Sequence, residues 1–339
     1  MRKSTYAVAV VGATGLVGRE ILSALDDRGF PFGDLRLYAS IRSAGEEVRC
    51  GTCTARVELL ERARFEQLDI VFLAAGERLS AELAGRAAAA GAVVIDSSQL
   101  FVDDLDVPVI VPEINAAALG AFHTRHIVVS PDTLAIALAV VLNPLRDAAG
   151  LRRVVATTFE PVSGAGQRGI EELQRQTIDL MNGQSTESEV FPRRIAFNAL
   201  PQVGEFLAGG SSIEEQQATA ALLRVLDAPD VGVSLTRVRV PLFYGTSIAL
   251  NVETDEPLSA EGVREVLRGA PGVLLQDDAE AAQYPTPGEA VGQDATCVGR
   301  VRASASDTVF DLWVCVDNLR KGSAVNAVQI AEVLIRDHL

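Results

Sequence analysis

The sequence predicts a two-domain α/β protein in which the first domain has a parallel, doubly wound sheet and the second has a mixed, largely antiparallel sheet. Strand-like and helix-like segments alternate over short links in the first third of the chain, which is typical of parallel α/β sheets. A glycine-rich turn joins the first strand to the first helix, and from about residue 152 longer strands follow one another without helices between them. The length of 339 residues suits about two domains of roughly 150 residues each.

In the first domain, apolar and β-branched runs predict strands, and apolar residues at helical spacing, such as Ile21, Leu22 and Leu25, predict helices. The predicted strands are Tyr6–Val11, Leu35–Ala39, Asp69–Ala74, Val93–Asp96, Val109–Val111 and His126–Ser130. The predicted helices are Arg19–Arg28 and Leu79–Ala90, and Gly91 closes the second of them.

In the second domain, the strands are longer and the helices fewer. The predicted strands are Val154–Phe159, Gly232–Pro241, Phe243–Glu253, Thr296–Ala303 and Val309–Asp317. The predicted helices are Gly169–Met181, Ile213–Val225, Ala260–Leu267 and, at the end of the chain, Ala324–Ile335. Because the segment Asp277–Asp294 is polar and contains prolines and glycines, it predicts a loop.

The composition excludes several classes of partner. A formal net charge of −15 indicates a protein that repels nucleic acid and anionic membranes. The N-terminus lacks a secretory pattern, and the longest apolar stretch, near Leu134–Leu142, has about half the length of a membrane helix. We therefore expect a cytoplasmic protein. The four cysteines form no disulfide framework, and Cys50-x-x-Cys53 lacks the second ligand pair of a zinc site, so no metal is expected.

The strongest local signal is a strand followed by a G-x-x-G-x-x-G turn and a helix, between Val8 and Arg19. Glycine lets the backbone approach a pyrophosphate closely, and the helix N-terminus supplies N–H groups and the positive end of a dipole. The spacing differs from the usual G-x-G-x-x-G, but the strand before it and the helix after it favour a Rossmann-like dinucleotide site. The predicted cofactor contacts in this turn are Gly12, Thr14, Gly15, Leu16, Val17 and Gly18.

The segment after the second strand indicates which dinucleotide is bound. NAD enzymes usually carry an acidic residue there, whereas this chain has Arg42 between Ser40 and Ser43. A guanidinium flanked by hydroxyls suits the 2′-phosphate of NADP, so these three residues are predicted cofactor contacts. The alternative is that the segment is an ordinary turn with a solvated arginine.

Nearly the whole chain resembles the aspartate-semialdehyde dehydrogenase family. Besides the glycine turn, the resemblance is carried by segments that follow one another in a single order. They include Val107–Asn115 (VPVIVPEIN), Val162–Gly166 (VSGAG), Val238–Pro241 (VRVP) and Asp317–Glu332 (DNLRKGSAVNAVQIAE).

The resemblance implies a domain organisation and a reaction. It implies a dinucleotide-binding domain of residues 1–130 that is completed by the C-terminal helix 318–339, and a catalytic-like domain of residues 131–317 whose sheet forms the face of a homodimer. It also implies NADP-dependent reductive dephosphorylation of an aspartyl phosphate through a thioester. Asn318 and Gln329 would then be further cofactor contacts.

That chemistry needs a cysteine nucleophile and a histidine that moves protons. The matching positions of this chain carry Thr133 instead of the cysteine and Thr246 instead of the histidine, and Glu160 stands where the family has a glutamine. Val102 and Gln217 stand at the positions of an arginine and a lysine that serve an anionic substrate. The resemblance therefore implies that the catalytic positions have lost their chemistry.

Two matching residues, Arg239 and Glu214, are retained and are predicted to bind substrate. No other residue is predicted to restore the chemistry: His126 lies on the order of 15–20 Å from Thr133 along the intervening chain. We therefore interpret the chain as a relative of the Usg type that keeps the fold, the homodimer and NADP binding without semialdehyde dehydrogenase activity. Two alternatives stay open: an active NADP-dependent oxidoreductase for another small aldehyde or oxo substrate, and a heterodimer with an active paralogue.

Overall fold

The computed structural model describes residues 3–51, 53–304 and 306–339. This part of the chain divides into two compact units. The first unit runs up to Ile136 and resumes at Gly322–Leu339, and the second comprises Ala137–Lys321.

The described chain contains thirteen named strands. In chain order they are β1 (Tyr6–Val11), β2 (Phe32–Ala39), β3 (Glu47–Cys50), β4 (Cys53–Leu59), β5 (Ile70–Leu73), β6 (Val93–Asp96), β7 (Ile127–Val129), β8 (Arg153–Glu160), β9 (Gly232–Arg239), β10 (Thr246–Glu253), β11 (Val273–Leu275), β12 (Thr296–Ala303) and β13 (Val309–Val316).

The α-helices of the described chain differ widely in length. In chain order they are α1 (Leu16–Asp27), α2 (Glu77–Ala89), α3 (Pro112–Asn115), α4 (Thr133–Ala149), α5 (Gly166–Met181), α6 (Ile213–Leu226), α7 (Ala260–Arg268), α8 (Pro287–Ala290) and α9 (Asn326–Asp337). Short 3₁₀ turns cover Leu60–Arg62, Ala116–Thr124 and Val162–Ala165, and a π turn covers Arg320–Val325.

The first unit is built on a seven-stranded sheet with the order β3-β4-β2-β1-β5-β6-β7. Every neighbouring pair is parallel except the β3–β4 hairpin at one edge. This arrangement confirms the predicted parallel, doubly wound sheet. Because the strands are parallel, the glycine turn after β1 and the turn after β2 lie at the same edge of the sheet.

The core of the first unit joins the sheet to the helices at the two ends of the chain. Val8 and Val10 of β1 pack in one buried cluster with Ile21 of α1 and Ile330 of α9. Arg28, directly after α1, makes a two-pronged ion pair with Glu332 of α9 at 2.8 and 2.7 Å. The C-terminal helix is thereby fixed to the first unit.

The second unit is built on a six-stranded sheet with the order β11-β12-β13-β10-β8-β9. The three central pairs are antiparallel and the outermost pairs, β11–β12 and β8–β9, are parallel, which confirms the predicted mixed sheet. Side chains of β8 alternate strictly between buried and half-buried, so one face of this sheet is covered and the other is partly open.

Three of the sequence expectations are corrected. The helix α4 was not predicted, because its apolar run is buried on all sides and shows no polar face. Val109–Val111 is not a strand but makes a single parallel bridge from Val109 to Val129. The predicted loop Asp277–Asp294 contains the short helix α8, which starts with a proline and is capped by Thr286.

Candidate functional site

The glycine turn after β1 leaves no room for side chains. Gly12 has a φ of +83°, and a Cβ there would lie 2.5 Å from the carbonyl oxygen of Ala74. A Cβ at Gly18 would lie 2.1 Å from the carbonyl oxygen of Gly12. No side chain caps α1 at Gly15, and its first turn has no acidic residue, so the first N–H groups of the helix can face an anion. The turn therefore fits the pyrophosphate of a dinucleotide.

The three residues predicted at the 2′-phosphate lie together in a tight turn directly after β2. The N–H group of Ser43 donates to the carbonyl oxygen of Ser40 at 3.0 Å, and that of Ala44 donates to the same oxygen at 3.1 Å. Arg42 lies in the middle of this turn and is exposed. The turn thus presents a cation and two hydroxyls at the carboxyl end of β2.

Thr133 is the first residue of α4, and its hydroxyl has a partner. The hydroxyl donates to the carbonyl oxygen of Gly322 at 3.1 Å. Its neighbour Asp132 caps the helix, because its carboxylate accepts from the N–H group of Ala135 at 2.9 Å. The Thr133 proton therefore points to a backbone carbonyl, and the adjacent carboxylate serves the helix end.

Glu160 lies in a buried ion-pair cluster with two arginines. Arg237 donates from Nε and Nη2 to the two carboxylate oxygens at 2.7 and 3.0 Å, and Nη1 of Arg239 lies 3.7 Å from one of them. Thr158 donates a further hydrogen bond at 2.9 Å. Burial alone would raise the pKa of Glu160, but the charges and hydrogen bonds of Arg237 and Arg239 outweigh it and hold the pKa below its usual range.

The other predicted substrate residue, Glu214, lies in the first turn of α6. Its carboxylate packs against Gly204, where a Cβ would lie 1.3 Å from Oε2, and Gly204 has a φ of +81°. The backbone carbonyl of Glu214 accepts from Arg237 at 3.1 Å. Glu214 and Arg239 also interact electrostatically, so the structure brings Glu160, Arg239 and Glu214 into one cluster.

Thr246 starts β10 and is buried opposite Val316 of β13. The preceding residue, Gly245, donates its N–H group to the side-chain oxygen of Asn318 at 3.0 Å. The amide nitrogen of Asn318 donates to the hydroxyl of Ser163 at 3.0 Å. Asn318 therefore holds the turn before Thr246 to the turn that contains Ser163, and its assignment to the cofactor stays a prediction.

Three further residues were predicted to stand at positions with a role in the family: Val102, Gln217 and Gln329. Gln329 of α9 donates to the carboxylate of Glu113 at 2.7 Å. Val102, at the position of a substrate arginine, is buried, and Gln217 lies on α6. The role of Gln329 at the cofactor stays a prediction.

The histidines are grouped in the first unit around Phe122. The ring of Phe122 lies 4.0 Å from that of His123, 6.0 Å from that of His126 and 5.6 Å from that of His338. The sequence of the second unit contains no histidine, and position 246, where the family has one, is a threonine.

The cysteines lie on strands, in two cross-strand pairs. Cys50 and Cys53 face each other across the β3–β4 hairpin, and Cys297 faces Cys315 across β12 and β13. Burial raises the pKa of the Cys50 and Cys315 thiols to about 11, so both stay protonated at neutral pH. Burial also raises the pKa of the Cys297 thiol, so none of these three buried thiols is activated as a thiolate.

In the part of the chain that the structure describes, no cluster of three His, Cys, Asp or Glu side chains suits a metal ion. Nor does any helix within the described ranges have the length and hydropathy to cross a membrane.

Sequence reasoning missed Arg237, which makes the shortest contacts with Glu160. The signal was present: Arg237 and Arg239 are two residues apart on a predicted strand, so they share a face. In the parallel ladder, Arg237 pairs with Thr158 and Arg239 with Glu160. Only the pairing of β8 with β9, which the sequence does not specify, reveals the contact.

Comparison with known proteins yields two family matches that together span most of the chain. Residues 7–122 match the family described as "Semialdehyde dehydrogenase, NAD binding domain". Residues 142–321 match the family described as "Semialdehyde dehydrogenase, dimerisation domain".

The chain is also similar to individual proteins along almost its full length. It is 42% identical to aspartate-semialdehyde dehydrogenase 2 of Vibrio cholerae over 335 residues, which cover 98% of both chains. It is 41% identical to the aspartate-semialdehyde dehydrogenase of Aquifex aeolicus over 340 residues, which cover 98% of this chain and 99% of the other. The crystal structure of aspartate semialdehyde dehydrogenase II of Vibrio cholerae complexed with ASA superposes with a TM-score of 0.96, covering 99% of this chain and 100% of that one.

Proposed function

Because the chain belongs to the aspartate-semialdehyde dehydrogenase family, we propose that it is a homologue that keeps the cofactor and the dimer of the family but not its thioester chemistry. The observation that carries the proposal is at Thr133. Its hydroxyl stands at the position of the nucleophilic cysteine and donates its proton to the carbonyl oxygen of Gly322 at 3.1 Å. A neutral hydroxyl is a much poorer nucleophile than a thiolate.

The residues nearest to Thr133 in sequence have other contacts. Asp132 is the nearest carboxylate in sequence, but it accepts from the N–H group of Ala135 as a helix cap. A cap carboxylate already compensates the positive helix end, which in a cysteine enzyme would stabilise a thiolate. His126, the histidine nearest in sequence, packs edge-on against Phe122.

The buried cluster of Glu160, Arg237 and Arg239 also supports a loss of the family activity. An arginine binds a substrate carboxylate when its charge is otherwise uncompensated. Here Glu160 places a carboxylate 3.7 Å from Arg239 and bonds Arg237 with both oxygens. The chain's own carboxylate thereby competes with that of an anionic substrate.

The proposed cofactor is NADP, and the residues present fit it. The glycine turn can form only because Gly12 and Gly18 lack side chains, since a Cβ at either position would meet the backbone. When bound, NADP supplies or accepts a hydride. The residues proposed to hold it are Gly12, Thr14, Gly15, Leu16, Val17 and Gly18 at the pyrophosphate, Ser40, Arg42 and Ser43 at the 2′-phosphate, and Asn318 and Gln329 elsewhere.

The proposed homodimer uses the open face of the six-stranded sheet. Val155, Thr157, Ala249 and Trp313 are half-buried on this face and line a broad depression of about 730 Å³. Phe159 adds to it, with its ring 5.6 Å from that of Trp313. An apolar sheet face of this kind is usually covered by another layer. The match of residues 142–321 to a dimerisation domain supports a second copy as that layer.

A second candidate function is an active NADP-dependent oxidoreductase for another small aldehyde or oxo substrate. It is favoured by the intact glycine turn, because hydride transfer needs position and electrostatics more than a protein nucleophile. A screen of NADPH consumption over small aldehydes and oxo acids distinguishes it from the first proposal.

One set of measurements on the purified protein tests the proposed function. Calorimetric titration with NADPH is expected to give saturable binding, and sedimentation is expected to give a dimer. An assay with NADP, phosphate and aspartate semialdehyde is expected to give no turnover above a protein-free control. Failure to bind NADPH overturns the cofactor assignment, and turnover at an ordinary enzymatic rate overturns the loss of activity.

A further inference from the structure

The turn after β2 has a second cation beside it, on a neighbouring strand. Arg56 lies on β4, and its Nη2 would be 3.6 Å from a Cβ at Gly45, the residue that ends the turn. No sequence pattern associates Arg56 with the cofactor, because the β3 strand lies between Arg56 and the turn along the chain. The parallel pairing of β4 with β2 brings the two together.

The backbone fixes this arrangement. The N–H group of Gly45 donates to the carbonyl oxygen of Val57 at 2.8 Å, and the N–H group of Val57 donates to the carbonyl oxygen of Glu46 at 2.8 Å. Arg56 directly precedes Val57, so its Cα is fixed next to the end of the turn. Gly45 has a φ of +92°, a conformation that glycine adopts without strain and that closes the turn toward β4.

Within the described ranges, the side chains of Arg42 and Arg56 form no hydrogen bond or ion pair. Glu47 faces Arg56 across the β3–β4 ladder, and Glu58 lies two residues further on β4, yet no ion pair joins them to Arg56. By contrast, Glu46 pairs with Arg19 at 3.7 Å, so the acidic residue of the turn itself is already compensated. Two guanidinium groups therefore border one turn with their charges uncompensated.

We propose that Arg56, together with Arg42, binds the 2′-phosphate of NADP and sets the preference for NADP over NAD. This inference rests on the proposed binding of NADP to the glycine turn. A phosphate carries up to two negative charges and accepts several hydrogen bonds, which suits two planar guanidinium groups approaching from two sides. Arg42 reaches the phosphate from within the turn, and Arg56 reaches it from β4.

The test compares dissociation constants for NADPH and NADH in wild type, Arg56→Ala, Arg42→Ala and the double variant. Arg56→Ala is expected to weaken NADPH binding about tenfold, which is about 1.4 kcal/mol, because it removes charge-assisted hydrogen bonds to the phosphate. NADH binding is expected to stay unchanged, since NADH has no 2′-phosphate. Arg62→Ala, which removes the same charge just after β4, is the matched control and should change neither constant.

Two further measurements make the result specific to the phosphate. Adenosine 2′,5′-bisphosphate and 5′-AMP probe the subsite without the nicotinamide, and only the bisphosphate should lose affinity in Arg56→Ala. Arg56→Lys should recover part of the loss, because it restores the charge but not the fork geometry. Unchanged NADH binding shows that each variant is folded.

The outcomes separate this inference from the proposed function. If wild type binds neither dinucleotide, the proposed cofactor fails and the role of Arg56 fails with it. If wild type binds NADPH and NADH equally, or prefers NADPH by the same factor as Arg56→Ala, the role of Arg56 is overturned while the cofactor assignment stands.

Discussion

Arg237 holds Glu160 with two parallel hydrogen bonds, from Nε at 2.7 Å and from Nη2 at 3.0 Å, and both side chains are buried. Arg239 lies 3.7 Å from the same carboxylate. The residue at 160 is therefore the anion between two buried cations. The stability of this cluster and the ligand preference of the site both depend on one carboxylate.

We expect Glu160→Gln to lower the free energy of unfolding at neutral pH by about 3–5 kcal/mol, because it leaves buried arginine charges uncompensated. Urea denaturation followed by circular dichroism measures the change. The matched control is Glu189→Gln, whose carboxylate pairs with Arg175 at the exposed surface and should change little. Equal stability of the two variants would show that Glu160 is not a structural counter-ion.

The same pair predicts a pH dependence. Because the pKa of Glu160 is lowered in the folded state, its stabilising effect is complete above the unfolded pKa of about 4.3 and is lost as pH falls through the lower, folded pKa. The stability difference between wild type and Glu160→Gln should therefore be constant above about pH 5.5 and shrink progressively below about pH 5. Urea titrations at a series of pH values measure it. A difference that grows as the pH falls would contradict this assignment.

The thiols predict a labelling pattern. Cys53 is exposed, whereas Cys50, Cys297 and Cys315 are buried. In the folded protein, a thiol reagent such as Ellman's reagent should therefore modify one cysteine quickly at pH 7, and all four after denaturation. Peptide mapping should locate the fast label at Cys53. A second thiol that reacts as fast would reveal an activated cysteine and weaken the case against thioester chemistry.

Two glycine-to-alanine variants should change stability in opposite directions. Gly12→Ala should destabilise the protein and prevent NADPH binding, because its φ is +83° and its Cβ would meet the Ala74 carbonyl at 2.5 Å. Gly85→Ala lies within α2, has no heavy atom within 4 Å of the new Cβ and should stabilise by roughly 0.5–1 kcal/mol. Thermal unfolding and NADPH titration measure both. Normal NADPH affinity in a folded Gly12→Ala would argue against the glycine turn as the pyrophosphate site.

Local patterns predicted most of the elements that hold the candidate site. The glycine turn was readable because a β-branched strand, three glycines and an amphipathic helix follow one another within a short stretch. The strands β8 and β9 were predicted for a similar reason, since both are rich in β-branched and apolar residues. The helix α4 was not readable, because Leu134–Leu142 is apolar throughout and is buried on every side.

Contacts between segments distant in the chain could not be predicted from the sequence. Arg237 meets Glu160 only because β8 and β9 pair in parallel with one particular register. Arg56 meets Gly45 only because β4 lies beside β2. The cap by Asp132, in contrast, is a local interaction that the order Pro131-Asp132-Thr133 before a helix would have indicated once α4 was recognised.

The central claim is that the Thr133 hydroxyl does not form a covalent bond to an acyl group. Intact-mass spectrometry tests it directly, on protein incubated with aspartate semialdehyde and NADP in the absence of phosphate, beside a cysteine-containing family member as a positive control. We expect the positive control to gain an aspartyl adduct and this protein to keep its unmodified mass. An aspartyl adduct that maps to Thr133 would contradict the account.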